Sequence, residues 1–462
     1  MRLRKEMTDN TALFEQIPVP QAVRMMALPT IFSQLIVLIY NMADTFYLGR
    51  VNNPYMVAGV SLILPIFNIC LSVAGLTGMG GGALISRLLG INRTDEARRV
   101  SAFCLRLTVL VAAFFSLIMF VFMPQILHFL GASTDTFPYA RQYTLWVVVA
   151  GAIPTVLSNV MSNLLRSIGD SGKAGFGIAM GGIINIILDP LFMFVILPDG
   201  HEVLGVGIAT LMSNCIACSY FILQVWRIRK NSALTFDMQN GLPAKDSIIS
   251  IFNVGIPSAV ATLLFDIDYV VIDRLMSGWS DIALAAVGIV LKAERLPLNI
   301  GIGLCQGMMP LVAYNYSSGD HIRMRKIIRF TLFTGMIIGA VSVTMYELLA
   351  GNILQIFISE SETVLLGTNF LRIRCLATPF MFMCFFLVFV FQGFGEGRIA
   401  LMLGIVRWAV LNIPMLFILN YLLGMYGIVW SQVTADILTV IFSYTVYFRY
   451  MRNQDRGRTS VF

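Results

Sequence analysis

The stretch Leu38–Arg50, LIYNMADTFYLGR, sets a carboxylate into an apolar run that begins at Ala27. Asp44 meets no counter-charge along that run until Arg50. The solvent around the run decides what Asp44 is for. The chain has 462 residues, 57% hydrophobic and 12% charged, with a mean hydropathy of +0.80. A soluble domain carries about 25% charged residues. A chain this apolar cannot cover a water-facing surface, so its main solvent is lipid.

A helix crosses a bilayer with about 20 predominantly apolar residues. About twelve such runs follow one another: 28–48, 56–80, 101–123, 141–165, 174–197, 205–227, 250–276, 282–312, 328–350, 366–392, 399–420 and 425–449. They are continuous and do not alternate, which excludes a barrel. The expected fold class is an all-α integral membrane protein with twelve transmembrane helices.

Basic residues gather in alternate loops, among them INRTDEARRV, WRIRKNSALTF, SSGDHIRMRKIIR and the tail FRYMRNQDRGR. The opposite loops carry little beyond Arg50. This bias places both termini in the cytoplasm of a multi-pass protein of the inner membrane. It also accounts for the net charge of +7, leaving no case for nucleic-acid binding. The opening MRLRKEMTDNTALFEQIPVPQ is too polar and proline-broken for a signal peptide, and reads as a cytoplasmic leader, residues 1–26, with a short interfacial helix. All seven cysteines fall inside predicted spans. The CIAC at 215–218 therefore reads as small-residue helix packing, not redox chemistry.

The longest polar connection divides the spans six and six, giving lobes at 27–227 and 248–450, a linker at 228–247 and a tail at 451–462. The halves match weakly. ALPTIFSQLIVLIYNMADTFYLGR from Ala27 lies against GIPSAVATLLFDIDYVVIDRLMSG from Gly255, with Pro29 and Pro257 aligned. Equal helix counts in one orientation make two pseudo-symmetric six-helix bundles, which place substrate at the repeat interface.

A carboxylate at a helix centre costs about 2.5–3.5 kcal/mol on insertion scales and tends to be retained for function. Asn41 stands one turn before Asp44, on the same side of the helix. In the fifth span, GGIINIILDPLFMF, Asn185 and Asp189 are one turn apart, and Pro190 frees the carbonyl of Ile186. The sixth span adds Thr210, Ser213 and Asn214. Two carboxylates together in low dielectric cannot both ionise cheaply, so the cluster is a proton site. Carboxylate, amide, hydroxyl and carbonyl oxygens also suit sodium. The alternative is that both aspartates end their helices at headgroup level.

The second half carries Asp266 and Asp268 in LLFDIDYVVIDRLM, and Lys292, Glu294 and Arg295 in GIVLKAERLPLN. Buried charges of both signs pair, which makes this either an ion-pair network or a second ion or substrate patch, with Asp266 the best single candidate. Methionines and phenylalanines suit a cavity that repacks around varied apolar ligands, although lipid-facing positions use most of them. No metal-binding, nucleophile-elbow or phosphate-loop pattern is present, so an enzyme is not expected.

With these polar residues in place, the chain resembles the multidrug and toxic compound extrusion (MATE) transporters, of prokaryotic type, over nearly its whole length. YNMADTFYLGR, LLGINRTDEARR, LLRSIGDSGKA, NIILDPLF and PLVAYNYSSGD carry the likeness by their order and spacing. The family's first-helix aspartate, with a proline fifteen residues earlier, corresponds to Asp44 and Pro29. Its fifth-helix Asn and Asp correspond to Asn185 and Asp189, and its sixth-helix threonine to Thr210. Some members use an acid on the seventh helix, where Asp266 stands, and another on the tenth, which has none here. The resemblance implies a secondary active antiporter. It would export amphipathic, often cationic drug-like compounds for protons or sodium, with no other cofactor. It implies a monomer among membrane lipids, with Pro29 and Pro190 as hinges. The rival within the superfamily is a lipid-linked oligosaccharide flippase, for which Arg166, Lys292 and Arg295 would supply cationic contacts.

Overall fold

In lipid every backbone N–H and C=O must find its partner inside the chain, so continuous apolar runs fold as helices. The computed structural model describes residues 11–51, 53–198, 200–237 and 241–455. Its spans are α1 (Val19–Arg50), α2 (Pro54–Gly90), α3 (Thr94–Val121), α4 (Phe137–Ala150 with Ala152–Ser167), α5 (Ser171–Ile196) and α6 (Glu202–Ile228). The second set is α7 (Lys245–Ser277), α8 (Asp281–Ser317), α9 (His321–Phe357), α10 (Ser361–Cys375 with Thr378–Phe394), α11 (Gly397–Leu423) and α12 (Met425–Asp455). Ten are single helices long and apolar enough to cross a membrane, and the two bent pairs bring the spans to twelve. The expected fold class holds.

The helices outrun the predicted spans. Polar turns are still good helix but poor lipid, so α9 runs His321–Phe357 where hydropathy marks only 328–350. The glycine cluster after 80 likewise continues α2 to Gly90. Residues 11–15 form a helical turn, and α1 begins at Val19. Residues 1–10, 238–240 of the linker and 456–462 of the tail lie outside the described residues.

Two spans are broken. Between its halves α4 bends by 47° and α10 by 46°. Each break has a proline in the first turn that follows, Pro154 and Pro379, which removes an N–H and clashes with the preceding turn. These are the fourth helix of each half, so the repeat extends to its kinks. Wider π-helical turns lie in α4 over Thr144–Ala150, at the end of α5 over Phe192–Ile196 and in α11 over Val406–Asn412.

Glycines set how closely helices approach. A Cβ at Gly182 of α5 would meet Ile36 Cγ2 of α1 at 2.7 Å and the Tyr40 ring at 3.1 Å. The lobes meet through the same device. Gly80 of α2 lies against the Ile251 carbonyl of α7, and Gly255 of α7 against the Leu76 carbonyl. Gly303 and Gly307 of α8 lie against the backbone of Ile31 and Ala27 on α1. Gln34 donates to Gln306 at 3.0 Å across the boundary. These contacts all belong to the half of the molecule that carries the termini. There, too, Phe14 stacks on Tyr314 at 4.7 Å and Arg323 donates to the Phe14 carbonyl at 2.6 Å, tying the start of the first lobe to the second.

Candidate functional site

In the first lobe α1, α5 and α6 bring four of the expected residues together, Asp44, Asn185, Asp189 and Thr210. Asn185 Nδ2 donates to Asp189 Oδ1 at 3.1 Å and reaches Thr210 Oγ1 at 3.5 Å. The Asp44 carboxyl of α1 is an electrostatic neighbour of that of Asp189. Asp189 is fully buried, and Asp44 Oδ1, Asp189 Oδ2 and Asn185 Oδ1 are buried oxygens without a donor. Arg50 does not reach back to Asp44; its guanidinium lies 5.0 Å over the Phe46 ring.

Asn41 is a correction. Its amide donates to the Val37 carbonyl at 2.8 Å on an exposed face, outside the carboxyl cluster. That bond ties one amide N–H of Asn41 to its own helix. Tyr40, one full turn before Asp44, and Tyr143 of α4 are electrostatic neighbours of the two carboxyls. Sequence reading passed over both because a tyrosine in an apolar run looks like apolar filling. Pro29 lies inside an unbroken α1, where its carbonyl backs onto Gly175 of α5. Pro190 lies in the last turn of regular α-helix before the wider turns of α5.

The second lobe repeats the arrangement on the equivalent helices α7, α11 and α12, with different charges. Asn412 Nδ2 donates to Asp268 Oδ1 at 2.6 Å and reaches Gln432 Oε1 at 3.4 Å, as Asn185 does to Asp189 and Thr210. Gln432 Nε2 donates to Asp436 Oδ2 at 2.8 Å. Here a cation is built in. Arg407 donates to both Asp436 oxygens, at 2.8 and 3.2 Å, and its guanidinium lies 4.2 Å over the Trp408 ring. Buried Glu294 pairs with Arg374 of α10 at 2.7 Å. Its sequence neighbours Lys292 and Arg295 are exposed and are not its partners among the described residues. Asp266, the favoured candidate, is only half-buried, with Arg295 and Asn68 as neighbours; Asp268 is the buried acid of α7. Arg374, Arg407 and Asp436 were missed, although each breaks an apolar run just as Asp44 does. Arg166 is buried, with Nη1 donating to Asn163 Oδ1 at 2.9 Å.

The two clusters differ in one respect that matters chemically. The second lobe neutralises Asp436 and Glu294 with its own arginines. Among the described residues, neither Asp44 nor Asp189 is in a salt bridge. A proton on either carboxyl supplies the donor that the orphan oxygens lack.

The similarities of the whole chain fit this layout. The chain is 30% identical over 423 residues to the multidrug export protein MepA of Staphylococcus haemolyticus (strain JCSC1435), covering 92% of each. Its fold matches an outward-facing multidrug resistance MATE family transporter of the MOP superfamily with a TM-score of 0.89, at 20% identity, over 97% of this chain and 98% of that one. It also matches a MATE in complex with MaD3S at 0.90, with 21% identity, over 97% and 99%. The MatE family model matches twice, at residues 29–191 and 257–418, once in each lobe. The chain belongs to the MatE family.

Proposed function

We propose that this protein is a secondary active multidrug efflux antiporter, which takes up a proton on the Asp44–Asp189 pair while an amphipathic, often cationic compound leaves. The observation that carries the reading is the buried pair of carboxyls without a cation, beside a second cluster that supplies its own. The relatives' description as multidrug export proteins supports the substrate class. The basic loops put the termini in the cytoplasm, so the half where the lobes meet through Gly80, Gly255, Gly303 and Gly307 is the closed half and faces the cytoplasm. Protonation removes both the repulsion between the carboxyls and the desolvation cost of a buried charge. The contact between α1 and α5 is thereby two-state, and a two-state contact can couple proton entry to substrate release.

The test is transport in liposomes with a proton or a sodium gradient imposed separately. Efflux driven by the proton gradient alone agrees with the proposal. Efflux that requires sodium replaces the proton in this site with sodium.

A further inference from the structure

Away from the aspartate pair, on the face of the first lobe that carries the termini, α3, the end of α6 and the segment after it frame a cavity of about 530 Å³. The segment is fixed to α3, with Thr235 N donating to Ser101 Oγ at 3.2 Å. The lining carries four cations, Arg98, Arg106, Arg229 and Lys230, against one acid, Asp237, which already has a partner.

Among the described residues no salt bridge to Arg98, Arg106 or Arg229 is found, and each is held by other contacts. Arg98 Nη2 donates to the Arg229 carbonyl at 2.7 Å, while its Nε is buried and has no acceptor. Arg106 Nη2 reaches the Phe236 carbonyl at 3.5 Å. The Arg229 guanidinium rests 4.5 Å over the Trp226 ring. Carbonyls and an aromatic face orient a guanidinium but leave its charge in place. A cluster of like charges so arranged is complementary to an anion with several oxygens.

The cavity also sits at the edge of the lipid belt. Trp226 is 56% exposed, and a tryptophan at the end of a transmembrane helix marks headgroup depth. One turn deeper, Ile222 of α6 and Leu110 of α3 are uncovered, and Phe114 continues the α3 stripe. The anion that fits carries apolar tails. We propose that this cavity binds an anionic phospholipid, with its phosphate among the arginines and its acyl chains along the Leu110 and Ile222 faces. The bound lipid pins the start of the inter-lobe linker to α3.

The experiment is native mass spectrometry of the full-length protein released from detergent, titrated with phosphatidylglycerol, phosphatidylcholine or glycerol 1-phosphate. Phosphatidylglycerol should saturate one tight site, and the other two should bind weakly. Arg106→Gln, Arg229→Gln and Lys230→Gln should each weaken it about fivefold, whereas Arg398→Gln, an exposed cation on α11, should not. Lys230 is exposed, so its variant reports even where an arginine variant folds poorly. Equal binding of phosphatidylcholine, or glycerol 1-phosphate as tight as the lipid, overturns the proposal. So does equal weakening by Arg398→Gln.

Discussion

Asp44 on α1 and Asp189 on α5 present their carboxyls to each other, and each keeps one buried oxygen without a donor. An amide in place of either carboxyl supplies a permanent donor and removes the exchangeable proton. Asp44→Asn and Asp189→Asn should therefore fold and bind substrate, yet lower gradient-driven efflux to the level of empty liposomes. Efflux assays normalised to folded protein, judged by size exclusion, check this.

The Arg407–Asp436 pair should behave in the opposite way. Removing one partner of a buried pair costs about 3–5 kcal/mol, because the other charge is left unpaired. Arg407→Ala should lower the melting temperature and folded yield sharply, while the double replacement Arg407→Met with Asp436→Leu should recover most of the loss. Transport per folded molecule should survive in the double variant. Thermal melts in detergent with a matched efflux assay decide it.

Gly255 and Gly80 let α7 and α2 touch through their backbones. A methyl at Gly255 would fall inside contact distance of the Leu76 carbonyl, so Gly255→Ala should loosen the closed half. Spin labels at Ser133 and Ser359, in the loops opposite the termini, should then show a larger population at short distance. An unchanged distribution would mean that this contact does not hold the lobes.

The basic loops make a topological prediction. Cysteines at Ser133 and Ser359 should react with an impermeant reagent added to intact cells. One at Ser232 should react only after permeabilisation.

Much of the first-lobe site was legible because its residues follow helix spacing in a run with few other polar groups. Asn185 and Asp189 stand one turn apart in an apolar helix, and Thr210 is one of three polar residues in the sixth span. Asn41 has the same apparent signature, but its amide turned back on its own helix, a choice set by tertiary packing. In the second lobe, attention went to the dense charges of LKAERL and passed over single ones in LRIRC, VRWAVLN and VTADI. Pairing between Glu294 and Arg374 joins helices far apart in the chain, so no local spacing announces it. The kinks of α4 and α10 were available from Pro154 and Pro379. Hydropathy does not register them, since a bent span is as apolar as a straight one.

Proton coupling is proposed to reside in the Asp44–Asp189 pair. Its most direct measurement is substrate-driven proton movement in liposomes with an entrapped pH dye, in sodium-free buffer. The wild type should move protons only when a substrate gradient is imposed, and well-folded Asp44→Asn and Asp189→Asn should move none. Substrate-linked proton movement of wild-type size by a folded Asp44→Asn protein would contradict the account.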